Sequence, residues 1–305
     1  MTAAPLGALT ARRETIAGLA INLCDSGPPP GPDAVDDPLL FIHGITATQA
    51  YWRQNLPHFA PRRRVIALDL PGFGRSDRPD IDYKMEGFVD LVRALLDARG
   101  IQTATLIGNS MGGLVSMLFA LEHPTRVRRL VLVDPAGVSL WPRRLMLSGL
   151  ALGRLGVRAA RAAMGESAMD APRALPALPA LVVRTLFSNV FPRSSALAQR
   201  FTRSYIDSVH SDDFPLHLRA AVRAATSILS LPMRQRCQQI AAPTLIMWGA
   251  LDRLVPVSDG KALRKRIAGS RLVIYSRSGH CPMLDQPERW NHDVEAFLDG
   301  KPVGR

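Results

Sequence analysis

"ATLIGNSMGGL", residues 104–114, decides the fold. Ala104 to Ile107 form a short apolar run of the kind that builds a strand buried on both faces. Immediately beyond, Leu114, Met117, Leu118 and Leu121 fall at helical spacing. A strand that enters a helix through one serine flanked by glycines matches G-x-S-x-G. In that turn the hydroxyl stands at the apex, and Gly108 and Gly112 remove the Cβ atoms that would clash. Five letters alone carry little; the strand before Ser110 and the helix after it give the match its weight.

Outward from this centre the same rhythm repeats. "PLLFI" (38–42), "RVIALDL" (64–70), "RLVLVD" (129–134), "PTLIMWG" (243–249) and "RLVIYS" (271–276) also read as buried strands, alternating with helical patterns. Phe88, Leu91, Val92, Leu95 and Leu96 share one helical face, with Gly100 as the stop. Strands alternating with helices predict an α/β fold, with a parallel sheet covered on both faces. "ETIAG" and "INLC" read as an entry hairpin. The rhythm breaks across residues 137–240, which are helical in pattern and rich in Arg, Ala, Leu and Pro. The expected division is a core of residues 1–136 and 241–305 carrying an insertion at 137–240. Within it, "RRLMLSGLALGRLGVRAARAAMG" (143–165) suits an amphipathic helix packed on the core, with contact to a membrane surface as the alternative.

The formal net charge of +12 raises the question of nucleic acid. Arg62-Arg63-Arg64, Arg143-Arg144 and the spaced Arg154, Arg158 and Arg161 are separate short groups without interleaved aromatics, so no nucleic-acid partner is expected. Cys24, Cys237 and Cys281 are too few and too scattered for a metal or disulfide framework, which points to a reducing compartment. The first residues lack the apolar segment of a signal peptide, and no eighteen apolar residues run without charge. A soluble, cytoplasmic protein is the expectation. Oligomeric state is not legible.

A serine hydroxyl becomes a useful nucleophile when a base takes its proton and an acid orients that base. His280, in "SRSGHCPMLDQPE" (276–288), follows the last strand directly and is the expected base. His58, His123, His210, His217 and His292 sit in helical or surface settings. For the acid, Asp252 in "WGALDRLVP" (248–256) lies just past a strand end and completes the chain order Ser, Asp, His. Asp134, at the end of "RLVLVD", is the alternative acid, although an Asp-Pro step commonly just ends a strand. Asp69 and Asp285 read as loop holders. Backbone N–H groups of Met111 and Ile45 are the expected oxyanion donors, with His43-Gly44 letting the chain swing inward and His43 bracing that loop.

With these segments quoted, the chain resembles the α/β-hydrolase superfamily over residues 13–136 and 241–300. "FIHGITAT" is similar to its oxyanion loop, "DLPGFGRSDRP" to the segment after the following strand, "GNSMGG" to its elbow, and "GALDRLVP" and "SGHCPMLDQPE" to its acid and histidine loops. The resemblance implies a mostly parallel eight-stranded sheet with helices on both faces and an inserted helical cap. A serine at the nucleophile position argues against haloalkane dehalogenases and epoxide hydrolases, which use aspartate there. Asn109 in the elbow is typical of hydrolases that split C–C bonds of meta-cleavage products. Those enzymes usually carry a Gly- and Pro-rich oxyanion loop and a tryptophan after the histidine; here stand Ile45-Thr46-Ala47 and Cys281. The resemblance therefore implies a carboxylic ester hydrolase of the esterase or lipase type with a small-molecule ester substrate. The alternatives are C–C cleavage of a dienoate, or a non-catalytic ligand-binding protein on the same fold. No metal and no organic cofactor are called for. Leu, Val, Phe and Ala in the insertion suit a moderately hydrophobic acyl or alcohol group, and its arginines would suit a carboxylate.

Overall fold

The computed structural model describes residues 9–29, 31–138, 213–231 and 233–304. The expectation for residues 143–165, and most of the predicted insertion, lies outside them. Eight strands are described: β1 (Arg12–Ile16), β2 (Leu19–Asp25), β3 (Leu39–Ile42), β4 (Val65–Leu68), β5 (Ala104–Asn109), β6 (Val127–Val133), β7 (Thr244–Gly249) and β8 (Arg271–Tyr275). They form one sheet in the order β1-β2-β4-β3-β5-β6-β7-β8. β1 and β2 make the expected antiparallel hairpin and β2 joins β4 antiparallel. From β4 to β8 every pairing is parallel. The helices among the described residues are α1 (Leu56–Phe59), α2 (Met85–Ala98), α3 (Met111–Glu122), α4 (Phe214–Ser230), α5 (Met233–Arg236), α6 (Val257–Arg266), α7 (Pro282–Asp285) and α8 (Pro287–Leu298).

Alternate side chains along the central strands divide between two cores, as the pleat requires. Leu40, Ile42, Leu106, Leu132 and Trp248 face the core that holds α2 and α3. Leu39, Phe41, Ile107, Val133 and Met247 face the other, with Trp52, Phe59 and Trp290. Phe41 and Trp52 lie 5.3 Å apart between ring centroids and Trp52 and Trp290 5.9 Å, a spacing at which ring pairs add about 0.5–1.5 kcal/mol each beyond area burial. All five apolar positions predicted for α2 are buried, and Gly100 (φ 65°) ends the helix as expected. α3 is buried from Met111 to Ala120, on more than the single stripe the spacing suggested, because it lies against the sheet centre with α2 beside it.

The chain runs outward from β3 to β4 and then returns to β5 on the other side of β3. The connections leaving the carboxyl ends of β3 and β5 therefore diverge, and a crevice opens between them, the place where open α/β sheets bind ligands. α4, inside the segment read as an insertion, packs on the start of α2 and on the segment after β4. Ala220 and Ala224 enter the α2/α3 core, Ser227 Oγ accepts the Met85 N–H at 3.0 Å, and Arg219 and Arg223 reach Asp80 at 3.1 and 2.6 Å. Of the arginine run, Arg62 pairs with Glu295, Arg63 with Asp299 and Arg64 with Asp25, so each of these charges faces a carboxylate rather than a shared basic patch. Among the described residues no helix is long and apolar enough to cross a membrane.

Candidate active site

β5 delivers Ser110 into a backbone conformation that an L-residue rarely adopts, φ 54° and ψ −115°. Such a residue stores roughly 1–3 kcal/mol of strain and persists because its surroundings over-determine it. The Ser110 N–H donates to Val133 O at 2.9 Å, and its carbonyl accepts the N–H groups of Leu114 at 3.1 Å and Ala136 at 3.0 Å. A Cβ on Gly108 would run into the Gly112 carbonyl, and one on Gly112 into the Ile42 carbonyl. Both glycines are thus required by the close approach of α3 to its own strand and to the end of β3.

The loop after β3 lies against the serine: a Cβ on Gly44 would stand 3.0 Å from Ser110 Cβ. His43 is buried, donates from Nδ1 to Gly44 O at 2.7 Å and accepts the Leu70 N–H on Nε2 at 2.9 Å. This pattern defines the neutral tautomer, and burial pushes the His43 pKa down. Its two ring nitrogens thus tie Gly44 to Leu70. Asp69 supports the same region, accepting from Gln49 N at 2.6 Å, Asn22 Nδ2 at 2.8 Å and Arg75 N at 2.9 Å. Thr46 turns the loop at φ 58°. Among the described residues neither the Ile45 nor the Met111 N–H has a hydrogen-bond acceptor. The Met111 amide also sits at the positive end of the α3 dipole.

On the opposite side of the elbow the acid and histidine loops meet. Asp252 Oδ2 and His280 Nδ1 are 2.7 Å apart, with the Asp252 side chain wholly buried and that of His280 4% exposed. Asp252 Oδ1 accepts the N–H groups of Leu254 at 2.7 Å and Val255 at 3.0 Å, so both carboxylate oxygens have fixed tasks. Asp285 accepts the Gly279 N–H at 2.9 Å and holds the histidine loop, and burial raises its pKa to about 6. Among the described residues the buried His280 Nε2 has no hydrogen-bond partner, so the imidazole and the Ser110 hydroxyl are not bonded to one another. Hydrogen bonds of this kind are often long in unliganded sites and tighten when substrate arrives.

Two residues do more than the sequence suggested. Asn109 Nδ2 donates to both Val133 O and His280 O at 3.1 Å, tying the elbow to the histidine loop. Asp134 does not simply end a strand. It is fully buried at φ 45°, and its Oδ1 accepts the Gly249 N–H at 2.9 Å. The imidazole is nonetheless bonded to Asp252 and not to Asp134. One ligating atom from each of Asp134, Asp252 and His280 lies within 4.8 Å of the others, close enough to share a cation, but the direct Asp252–His280 bond occupies atoms that a metal would need. His217, on α4, packs its ring edge-on against Phe73 at 5.5 Å, and burial drives its pKa down to about 4.

A parallel-stranded α/β sheet with a strained serine at its switch point and a paired imidazole opposite defines a hydrolase architecture. The chain belongs to the alpha/beta hydrolase fold family, whose pattern matches residues 37–287. It is similar to 2-hydroxymuconate semialdehyde hydrolase of Pseudomonas sp. (strain CF600), with 33% identity covering 94% of this chain and 93% of that protein. An uncharacterised protein of Mycobacterium tuberculosis (strain ATCC 25618 / H37Rv) is 32% identical over 86% of this chain and 75% of its own length. The solved structure of a membrane phospholipase A, described as a bacterial virulence factor, superposes with a TM-score of 0.75 at 26% identity, covering 97% of this chain and 87% of that one.

Proposed function

We propose that this hydrolase cleaves a carboxylic ester through an acyl-enzyme on Ser110, with His280 as general base and acid and Asp252 as the residue that orients it. The observation that carries the reading is the 2.7 Å Asp252–His280 bond, which leaves His280 Nε2 buried and uncommitted. With Nδ1–H held by Asp252, Nε2 carries a lone pair and takes the Ser110 proton as the hydroxyl attacks the ester carbonyl. The carbonyl oxygen becomes an oxyanion facing the Ile45 and Met111 N–H groups. One such donor contributes roughly a hundred- to a thousandfold in rate. His280 then protonates the leaving alcohol and later activates the water that releases the acid. No step calls on a metal or an organic cofactor. Of the insertion read at residues 137–240, α4 and α5 are the described helices, and a moderately hydrophobic acyl or alcohol group is the fitting substrate.

Hydrolysis of a C–C bond in a dienoate is the second reading, favoured by the relationship to 2-hydroxymuconate semialdehyde hydrolase and by Asn109 in the elbow. Cys281 in place of a tryptophan, and an oxyanion loop without its Gly- and Pro-rich sequence, favour the ester. Turnover of a p-nitrophenyl acyl series and of a ring-fission dienone by the wild type, beside Ser110→Ala, tests all readings. Ester turnover lost in Ser110→Ala supports the ester hydrolase, and dienone turnover alone supports C–C cleavage. No turnover and no labelling by a fluorophosphonate would reassign the fold to ligand binding.

A further inference from the structure

Two carboxyl groups share one buried corner at the ends of β6 and β7, and the mechanism above uses one of them. Both Asp252 oxygens are engaged, Oδ1 by the Leu254 and Val255 amides and Oδ2 by His280, and Oδ2 keeps one lone pair free. Asp134 has only Oδ1 engaged, by the Gly249 amide, while its Oδ2 is buried without a partner. The two carboxyls and the imidazole lie within 4.8 Å of one another. Among the described residues no lysine or arginine pairs with either carboxyl. The ionisable groups around Asp134 are Asp252 beyond β7, Tyr275 at the end of β8, His280 and Cys281 in the loop that follows, and Asp285 at the end of α7; all but the imidazole are acids. Two carboxylates so close in a dry corner without a cation do not both stay ionised.

We infer that Asp134 is a positioning residue that carries a proton on Oδ2 and donates it as a hydrogen bond to the Asp252 carboxylate, so that the pair bears one negative charge behind His280. The choice of which carboxyl keeps the proton follows from the partners. Asp252 gathers two amides and the imidazole N–H, all of which favour its ionised form, whereas Asp134 gathers one amide. Burial and the Asp252 charge accordingly hold the Asp134 pKa well above the usual carboxylate range. The strained φ of 45° aims this side chain at the corner. The consequence for His280 is a single, partly shared negative charge as its hydrogen-bond partner. This role rests on the reading of Asp252 and His280 as acid and base.

Asp134→Asn imitates the protonated form, since its oxygen still accepts from Gly249 and its NH2 still donates to Asp252. Asp134→Ala removes both bonds. With the p-nitrophenyl ester, Asp134→Ala should lower kcat about 10- to 100-fold with little change in KM, and Asp134→Asn should recover most of that loss. The acid limb of the kcat/KM profile, set by His280, should stay within about 0.3 pH unit of the wild type in Asp134→Asn. A fall of a unit or more would mean that a negative charge had been removed from beside the imidazole, and would overturn the inference; so would equal losses in the two variants. Infrared difference spectra of wild type against Asp134→Asn read the proton without any turnover. A protonated-carboxyl carbonyl band present only in the wild type at neutral pH supports the inference, even if Asp134→Ala fails to fold. Absence of that band overturns it. If the band is present but no ester or dienone turns over, the proton placement stands and the hydrolase reading alone falls.

Discussion

Asp252→Asn tests the site through one atom exchange. The asparagine can face either way, and the amides of Leu254 and Val255 decide which. With its oxygen toward them, at the 2.7 and 3.0 Å that Oδ1 now spans, both N–H groups keep an acceptor and the new NH2 faces His280 Nδ1. The reverse orientation sets the NH2 against both donors; water can reach the exposed Leu254 N–H, but the part-buried Val255 N–H is left unsatisfied, at about 1–3 kcal/mol. The first orientation therefore wins by roughly 1–3 kcal/mol. An NH2 donating to Nδ1 moves the imidazole proton to Nε2, the atom that has to receive the serine proton. A base locked in that tautomer loses about 10⁴ in kcat, or roughly 5.5 kcal/mol of transition-state stabilisation, the scale set by the same exchange in serine proteases. The assay is steady-state ester hydrolysis together with the rate of fluorophosphonate labelling of Ser110, with 15N spectra of His280 reporting the tautomer. Labelling and turnover should fall together while KM and the melting temperature stay close to wild type. An Asp252→Asn protein that retains kcat within tenfold of wild type would refute the assignment and pass the role of acid to Asp134.

Two further outcomes follow from backbone and charge. Ser110 stands at φ 54° and ψ −115°, so Ser110→Gly should be more stable than Ser110→Ala. Relief of about 1–3 kcal/mol of strain, less about 0.5–1 kcal/mol for the extra freedom of glycine in the unfolded chain, leaves a rise of a few degrees by calorimetry. A glycine variant that melts at or below the alanine variant removes the strain argument. Asp285 has its folded pKa raised to about 6 by burial, so its ionised form is disfavoured in the native state. Its contribution is fully present below about pH 4, the unfolded value, and is lost as pH rises through about 6. Asp285→Asn, which keeps an acceptor for Gly279, should therefore be about 1–3 kcal/mol more stable than wild type at pH 7.5 and no more stable at pH 4 by urea unfolding, the lower figure allowing for partial solvent access. An equal difference at both pH values would mean that the burial of a charge is not the cause.

The sheet was legible because buried parallel strands are short, apolar and bounded. "ATLIGN" coincides with β5 residue for residue, and "RVIALDL" contains β4, with Asp69 and Leu70 already in the following loop. The order of the strands was not legible. Nothing in a run such as "PLLFI" tells its neighbours apart, and the central place of β3 between β4 and β5 is a property of crossovers that bring together residues far apart in sequence. The depth of α3 escaped for a related reason. Spacing reveals one apolar stripe, but Gly112, Gly113 and Ser116 are buried too, since small residues there let the helix approach the strands, and small residues carry no hydrophobic signal.

The same distinction runs through the site. Ser110, Asp252 and His280 stood out as candidates because each stands just past the end of an apolar strand, where a polar side chain can point only toward the crevice or the solvent. Asp134 stands in the same kind of position, and the Pro135 that follows it is the mark in the sequence that sets it apart. What separates it from Asp252 is the supply of donors. The turn after β7 folds back so that Leu254 and Val255 aim their amides at Asp252, while the chain after Asp134 leads through Pro135, which has no N–H to give. An aspartate followed by backbone donors is stabilised as an anion and can orient an imidazolium. One followed by proline in a buried corner is left with the proton. The division of labour between two identical side chains thus comes from the hydrogen-bonding capacity of the two or three residues that follow each.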